Sequence, residues 1–226
     1  MTSKLYKNRF ELFFISQLLI LFGSLIIPIE FFRETLMPIL FLFNIASGII
    51  LISKKKIHTW GLIILFCVSL LLLAINIVQQ KDDDALSFIG FGVYFLFYAT
   101  VTVEIIRQVW NAKEVNKNVI VGLMSGYVSL GLIAFFVFSS IELSDPGAFK
   151  GLLFQGTDFS GKLDSLLYYS YITVLTIGYG DIVPVTSIAQ KAAMFVGLCG
   201  QFYIVIITAV VVQKFLAFND SREKKD

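Results

Sequence analysis

Long uncharged runs of apolar residues alternate along this chain with short clusters of lysine, aspartate and glycine. A helix needs about 20 mostly apolar residues to cross a membrane. Five runs meet that need: Leu12–Ile29, Leu36–Ser53, Thr59–Val78, Ala85–Ile106 and Val119–Ile141. A sixth, from about Ser187 to Phe218, is long enough to cross and protrude. Between the fifth and sixth lies Leu163–Thr176, apolar but too short to span, which is the length of a re-entrant segment. The pattern predicts an all-α membrane protein with six transmembrane helices and one re-entrant helix. Lys4, Lys7 and Arg9 precede the first run, as in a secretory leader. That run exceeds a typical leader's apolar core and no small-residue cleavage pattern follows it, so a retained helix is expected.

Composition agrees with this reading. The 226 residues are 57% hydrophobic with a mean hydropathy of +0.83, whereas soluble domains are about 45–50% apolar even with glycine counted. The net charge of +2 gives no bulk attraction for nucleic acid, and no such partner is expected. Charge position is more informative. With the N-terminus inside, thirteen Lys and Arg residues fall on inner segments and five on outer ones, namely Arg33, Lys81, Lys150, Lys162 and Lys191. This bias is the usual one for cytoplasmic loops. It predicts a multi-pass protein of the cell membrane with both termini cytoplasmic and Asp82, Asp83 and Asp84 outside. Lys54–Lys56 read as a solvated turn that can also meet lipid headgroups. Cys67 and Cys199 lie in apolar runs and read as small buried hydrophobes, and His58 as an interfacial residue. About ten residues precede the first run and about eight follow the last, so no soluble ligand domain and no enzymatic module are expected.

The stretch with chemistry is Thr173-Val174-Leu175-Thr176-Ile177-Gly178-Tyr179-Gly180-Asp181. It follows the re-entrant segment and precedes the last span. Non-helical backbone at membrane depth is tolerated only where it is buried in protein or lines a water-filled path. A dehydrated cation needs a cage of oxygens that replaces its water shell. Carbonyls of an ordinary strand alternate sides, but glycine reaches φ > 0 cheaply, so Gly178 and Gly180 can turn successive carbonyls toward one axis. Thr176 adds a hydroxyl at the inner end, and Tyr179 is expected to point away and pack behind. One chain supplies one such strand, so a closed ring of oxygens needs several copies.

Thr176-Ile177-Gly178-Tyr179-Gly180-Asp181 resembles the signature of potassium channels, most often Thr-Val-Gly-Tyr-Gly-Asp. Six fitting positions arise by chance on the order of once in millions of starts. The resemblance covers roughly Val119–Phe218: outer helix, pore helix, filter and inner helix. It implies a tetrameric potassium-channel fold, a homotetramer by rotation, with K+ bound by Thr176, Ile177, Gly178, Tyr179 and Gly180. By the same resemblance Tyr168 and Tyr169 occupy the family's aromatic pair, read as a cuff behind the filter in which Tyr168 reaches Asp181, or as plain core aromatics. Gly200 stands where the family has a hinge glycine; a hinge and a close-packing site are both open readings. Thr208 and Ala209 would line the inner mouth. Three departures stand out: Leu175 replaces a second threonine, Ile172 sits where some members carry a bracing glutamate, and Ile177 replaces the commoner valine.

Six spans with the pore in the last two also resembles voltage-gated potassium channels, whose fourth helix carries arginines every third residue. Residues 1–110 read as a four-helix domain of that layout without gating arginines, and 111–226 as the pore domain. The fourth run here carries one arginine, Arg107, at its inner end, beside Glu104. Steep voltage dependence is not expected. Two rival functions are a nonselective cation channel, which Tyr179 argues against, and a potassium transporter, which usually fuses four diverged pore units in one chain.

Overall fold

A computed structural model describes residues 6, 8–53, 56–79, 84–112, 116–152 and 159–223. Seven principal helices account for most of them: α1 (Arg9–Phe22), α2 (Met37–Ile52), α3 (Lys56–Gln79), α4 (Asp84–Trp110), α5 (Lys117–Ser144), α6 (Phe159–Val174) and α7 (Ser187–Glu223). Two short strands, β1 (Phe149–Lys150) and β2 (Val183–Pro184), pair antiparallel with Phe149 opposite Pro184. Of the charges behind the orientation argument, Lys4, Lys7, Lys54, Lys55, Lys81, Asp82, Asp83, Lys113, Lys224 and Lys225 lie outside the described residues, and nothing is described of the side chains of Lys56, His58, Lys214 and Arg222.

Among the described residues, three helices are long and apolar enough to cross a membrane: Asp84–Trp110, Lys117–Ser144 and Ser187–Gln213. The second and third runs fall short by that measure, as Met37–Ile52 and Thr59–Ile75. The first run, expected unbroken to Ile29, leaves the α-helix at Phe22 and continues only as a 3₁₀ turn, Gly23–Leu25. Proline has no N–H and disfavours helical geometry in the residue before it, and Pro28 stands at this break. Gly23 has the Phe32 ring against its backbone, where a Cβ would collide. The chain re-enters helix at Ile29–Phe31, passes through a π turn at Phe32–Leu36, and joins α2 directly.

Helix α5 is the centre of the subunit. Its N-terminus is capped by Asn116, whose side chain accepts the Val119 N–H at 3.1 Å. It packs against α1, α4, α6 and α7. Phe136 on α5 sits among rings from two other helices, stacked on Tyr94 at 5.2 Å and on Tyr98 at 5.9 Å, with Phe41 at 5.7 Å. Lipid is as apolar as these side chains, so such helices associate through packing and interhelical hydrogen bonds rather than hydrophobic burial. The hydrogen bonds are present: Asn44 donates to Ser16 at 2.7 Å and accepts from Tyr98 at 2.7 Å, while Gln17 donates to Ser129 at 2.7 Å. These contacts tie α1, α2 and α4 together and dock α1 on α5. Helix α7 differs. Only 11% of its apolar window is buried, against 61% for α5.

Candidate functional site

Helix α6 leads into the Thr173–Asp181 stretch. At its end four backbone N–H groups turn back onto the helix: Leu175 to Tyr171 at 2.8 Å, Thr176 to Thr173 at 3.0 Å, and Ile177 and Gly178 both to Ile172 at 2.9 and 3.3 Å. Left-handed φ values then recur at every second residue, with Thr176 at 58°, Gly178 at 57° and Gly180 at 82°. Alternating hand turns successive carbonyls to a common side. Among the described residues, no donor meets the carbonyls of Thr176, Ile177, Gly178 or Tyr179. The left-handed Thr176 is absent from the sequence argument, which rested on glycine; a β-branched residue rarely adopts this conformation. No group of three or more His, Cys, Asp or Glu residues is placed to hold a metal ion among the described residues. The oxygens available in Thr176–Gly180 are the backbone carbonyls with the hydroxyls of Thr176 and Tyr179.

Loops on either side of this stretch pack around its C-terminal end. Gly151, Asp164, Ser165, Tyr168, Asp181 and Ile182 line a pocket of about 180 Å³. Tyr168 and Asp181 lie together in this pocket. Tyr169 of α6 is buried between Phe138 of α5 at 5.0 Å and Phe149 of β1 at 5.3 Å, as a core aromatic. Gly151, at φ 88°, lies so close to the Asp181 carbonyl that a Cβ would collide with it. Two ion pairs fasten α6. Asp164 pairs with Arg33 of the turn before α2, Nε to Oδ2 at 3.1 Å. Lys162 pairs with the buried Glu142 at 3.0 Å, and Glu142 also accepts the N–H groups of Gly147 and Phe149. Within one chain Tyr179 is 71% exposed, so any packing behind the filter must come from outside its own subunit.

Between α5, α6 and α7 three tyrosines bond to backbone carbonyls. Tyr127 of α5 donates to the Val174 carbonyl at 3.1 Å, Tyr171 of α6 to Val128 at 2.8 Å, and Tyr203 of α7 to Leu123 at 2.7 Å. Their roles were not foreseen from the sequence. The available signal was Gly126 and Gly131 on α5, where a Cβ would meet the Tyr203 hydroxyl and the Tyr171 ring. Gly200 lies against the end of α6, and a Cβ there would strike the Val174 carbonyl. Helix α7 runs unbroken through it, so the structure carries the close-packing reading. Thr208 and Ala209 are exposed and line an open groove with Ile204, Val205, Val212 and Gln213. The two cysteines are free thiols; Cys199 is half-buried, but Cys67 is exposed on α3, contrary to its expected burial.

Residues 123–217 match the family described as "Ion channel". Among curated proteins, the potassium voltage-gated channel subfamily A member 5 of Oryctolagus cuniculus and that of Homo sapiens are each 31% identical over 97 residues, 42% of this chain. The match covers 16% of the length of either relative. No solved structure matches the chain significantly.

Proposed function

We propose that this chain, with its match to the ion-channel family at 123–217, is one subunit of a homotetrameric, potassium-selective channel of the membrane. The observation that carries the reading is the backbone at Thr176–Gly180, left-handed at every second residue and with its carbonyls unpaired. Such an array costs energy unless something replaces the missing partners. A K+ ion stripped of water is what rings of carbonyls accommodate. In this reading Thr176, Ile177, Gly178 and Tyr179 hold K+, Gly180 completes the turn, and Asp181 with Tyr168 braces the outer end. The partly negative C-terminus of α6 favours a cation below the filter.

Assembly follows from what one chain leaves uncovered. Met194, Phe195 and Phe202 of α7 are each more than half exposed, as is Tyr179. Copies around an axis through the filter would cover part of this surface, leaving Thr208 and Ala209 facing the inner pore and lipid around the outside. Residues 111–226 form the pore unit and 1–110 the surrounding four-helix unit. The second span is kept in this reading because the helical path from Ile29 through the π turn to Ile52 is continuous. At 1.5 Å per residue it is about 36 Å long, enough to cross. Helix α3 is similar in length. Both termini lie on the cytoplasmic side. Gly200 is the point at which an inner-helix movement would be felt by the filter.

The test is transport by purified chain in liposomes. K+ is expected to pass and Na+ to be excluded. Flux that did not discriminate between them would refute the assignment and favour a nonselective channel of the same fold.

A further inference from the structure

We infer that Tyr127 is a positioning residue for the filter, its hydroxyl fixing the peptide plane from which the filter strand starts. The inference deepens the proposed function and rests on it. Val174 is the last residue of α6, two residues before the left-handed Thr176. A carbonyl in a helix's last turn has no partner within the helix. The neighbouring Ile172 carbonyl is supplied by the chain itself, through the N–H groups of Ile177 and Gly178. The Val174 carbonyl instead receives the Tyr127 hydroxyl at 3.1 Å, from α5 and 47 residues earlier in the chain.

The surroundings hold that hydroxyl in place. The Tyr127 ring stacks on Tyr203 with centroids 5.5 Å apart and planes at 30°. Tyr203 is in turn tied to α5 by its own hydroxyl, on the Leu123 carbonyl at 2.7 Å. Gly126 gives it room to do so. Gly200, one turn before Tyr203 on α7, presses its backbone on the same Val174 carbonyl. That carbonyl is therefore confined between α5 and α7, with one donor. Rotation of the Val174–Leu175 peptide would carry Leu175 and Thr176 with it and change the direction in which the first filter carbonyl points. Ile172 cannot brace the filter from behind as a glutamate could, because its side chain has no acceptor. Tyr127 supplies a brace of a different kind, acting on backbone.

Tyr127→Phe keeps the ring and its stacking and removes only the donor. Tyr203→Phe is the control, since it removes an equal hydroxyl from the same stack whose acceptor lies on α5. Both are reconstituted beside the unaltered channel, with assembly checked by size in detergent and reversal potentials read in K+ and Na+ gradients. Tyr127→Phe is expected to assemble normally and raise the Na+/K+ permeability ratio by at least about 5-fold, the factor set by losing one hydrogen bond of ordinary strength in each subunit. Tyr203→Phe, which keeps the stacked ring and the Tyr127 donor, is expected to change the ratio less than Tyr127→Phe does. An unchanged ratio in Tyr127→Phe overturns the inference. So does an equal change in both variants, which would mark general packing, and so does failure of Tyr127→Phe to assemble, which would place the hydroxyl's role in folding. If the unaltered channel itself fails to select K+, the fault lies in the proposed function, and the inference falls with it.

Discussion

Gly178 offers the sharpest perturbation of the filter, because the structure separates backbone conformation from crowding there. Its φ is 57°, and a Cβ built on it meets nothing within 4 Å in its own chain. Gly178→Ala therefore introduces no clash inside the subunit. The cost is the chiral one of holding an L-residue left-handed, about 1–2 kcal/mol. In the proposed tetramer, four copies on one axis bring that to about 4–8 kcal/mol. At 1.4 kcal/mol per tenfold, the conducting arrangement of all four strands becomes roughly a thousandfold to a millionfold rarer. Gly147 provides a matched control: its φ is 93°, it also has nothing within 4 Å, and it lies in the outer loop away from the filter. Gly147→Ala is expected to lower thermal stability while leaving selectivity intact. The assay is ion flux into proteoliposomes, with K+ and Na+ compared for each variant. K+ flux is expected to collapse in Gly178→Ala and persist in Gly147→Ala. A Gly178→Ala protein that conducted with its K+ preference unchanged would refute the idea that left-handed backbone at this position forms the ion site.

Two other expectations follow from the helices around the filter. Gly200→Val should lower the melting temperature of the detergent-solubilised channel, since its side chain would strike the Val174 backbone carbonyl, which cannot swing aside as a flexible side chain can; overpacking of this kind costs about 1–3 kcal/mol. Open probability should change shallowly with voltage, because Arg107 lies at the inner end of α4 with its Nη1 3.4 Å from the buried Glu104 carboxylate, so the two charges offset each other. Even four arginines crossing the whole field would supply only about 9 kcal/mol per 100 mV. A conductance–voltage curve in symmetrical K+ checks this, and a gating charge of several units removed by Arg107→Gln would contradict it.

Much of this architecture was legible in the apolar pattern, and the exceptions have physical reasons. The fourth, fifth and sixth runs became α4, α5 and α7 with their ends displaced by a few residues, because a long uncharged run is compatible with little else in a membrane. The break after Phe22 was not legible. Hydropathy averages over Gly23 and Pro28, whereas the helix responds to each of them. Gly178 and Gly180 announced their left-handed backbone through composition, and Thr176 did not, since its conformation is imposed by the hydrogen bonds that close α6. The tyrosine contacts to Leu123, Val128 and Val174 were beyond reach for a different reason. Each joins residues more than 40 positions apart through a carbonyl, and a carbonyl has no sequence signature. The same holds for Arg33 and Asp164, which fasten the first helical unit to α6 across 131 positions.

The central claim, that Thr176–Gly180 is a potassium-selective path, is tested most directly by the reversal potential of the purified chain in a planar bilayer. With a tenfold K+ gradient opposed by an inverse Na+ gradient, the account predicts a reversal close to the K+ equilibrium value, about 59 mV from zero for a monovalent ion. A reversal near zero or displaced toward the Na+ value, from channels of this chain alone, would contradict it.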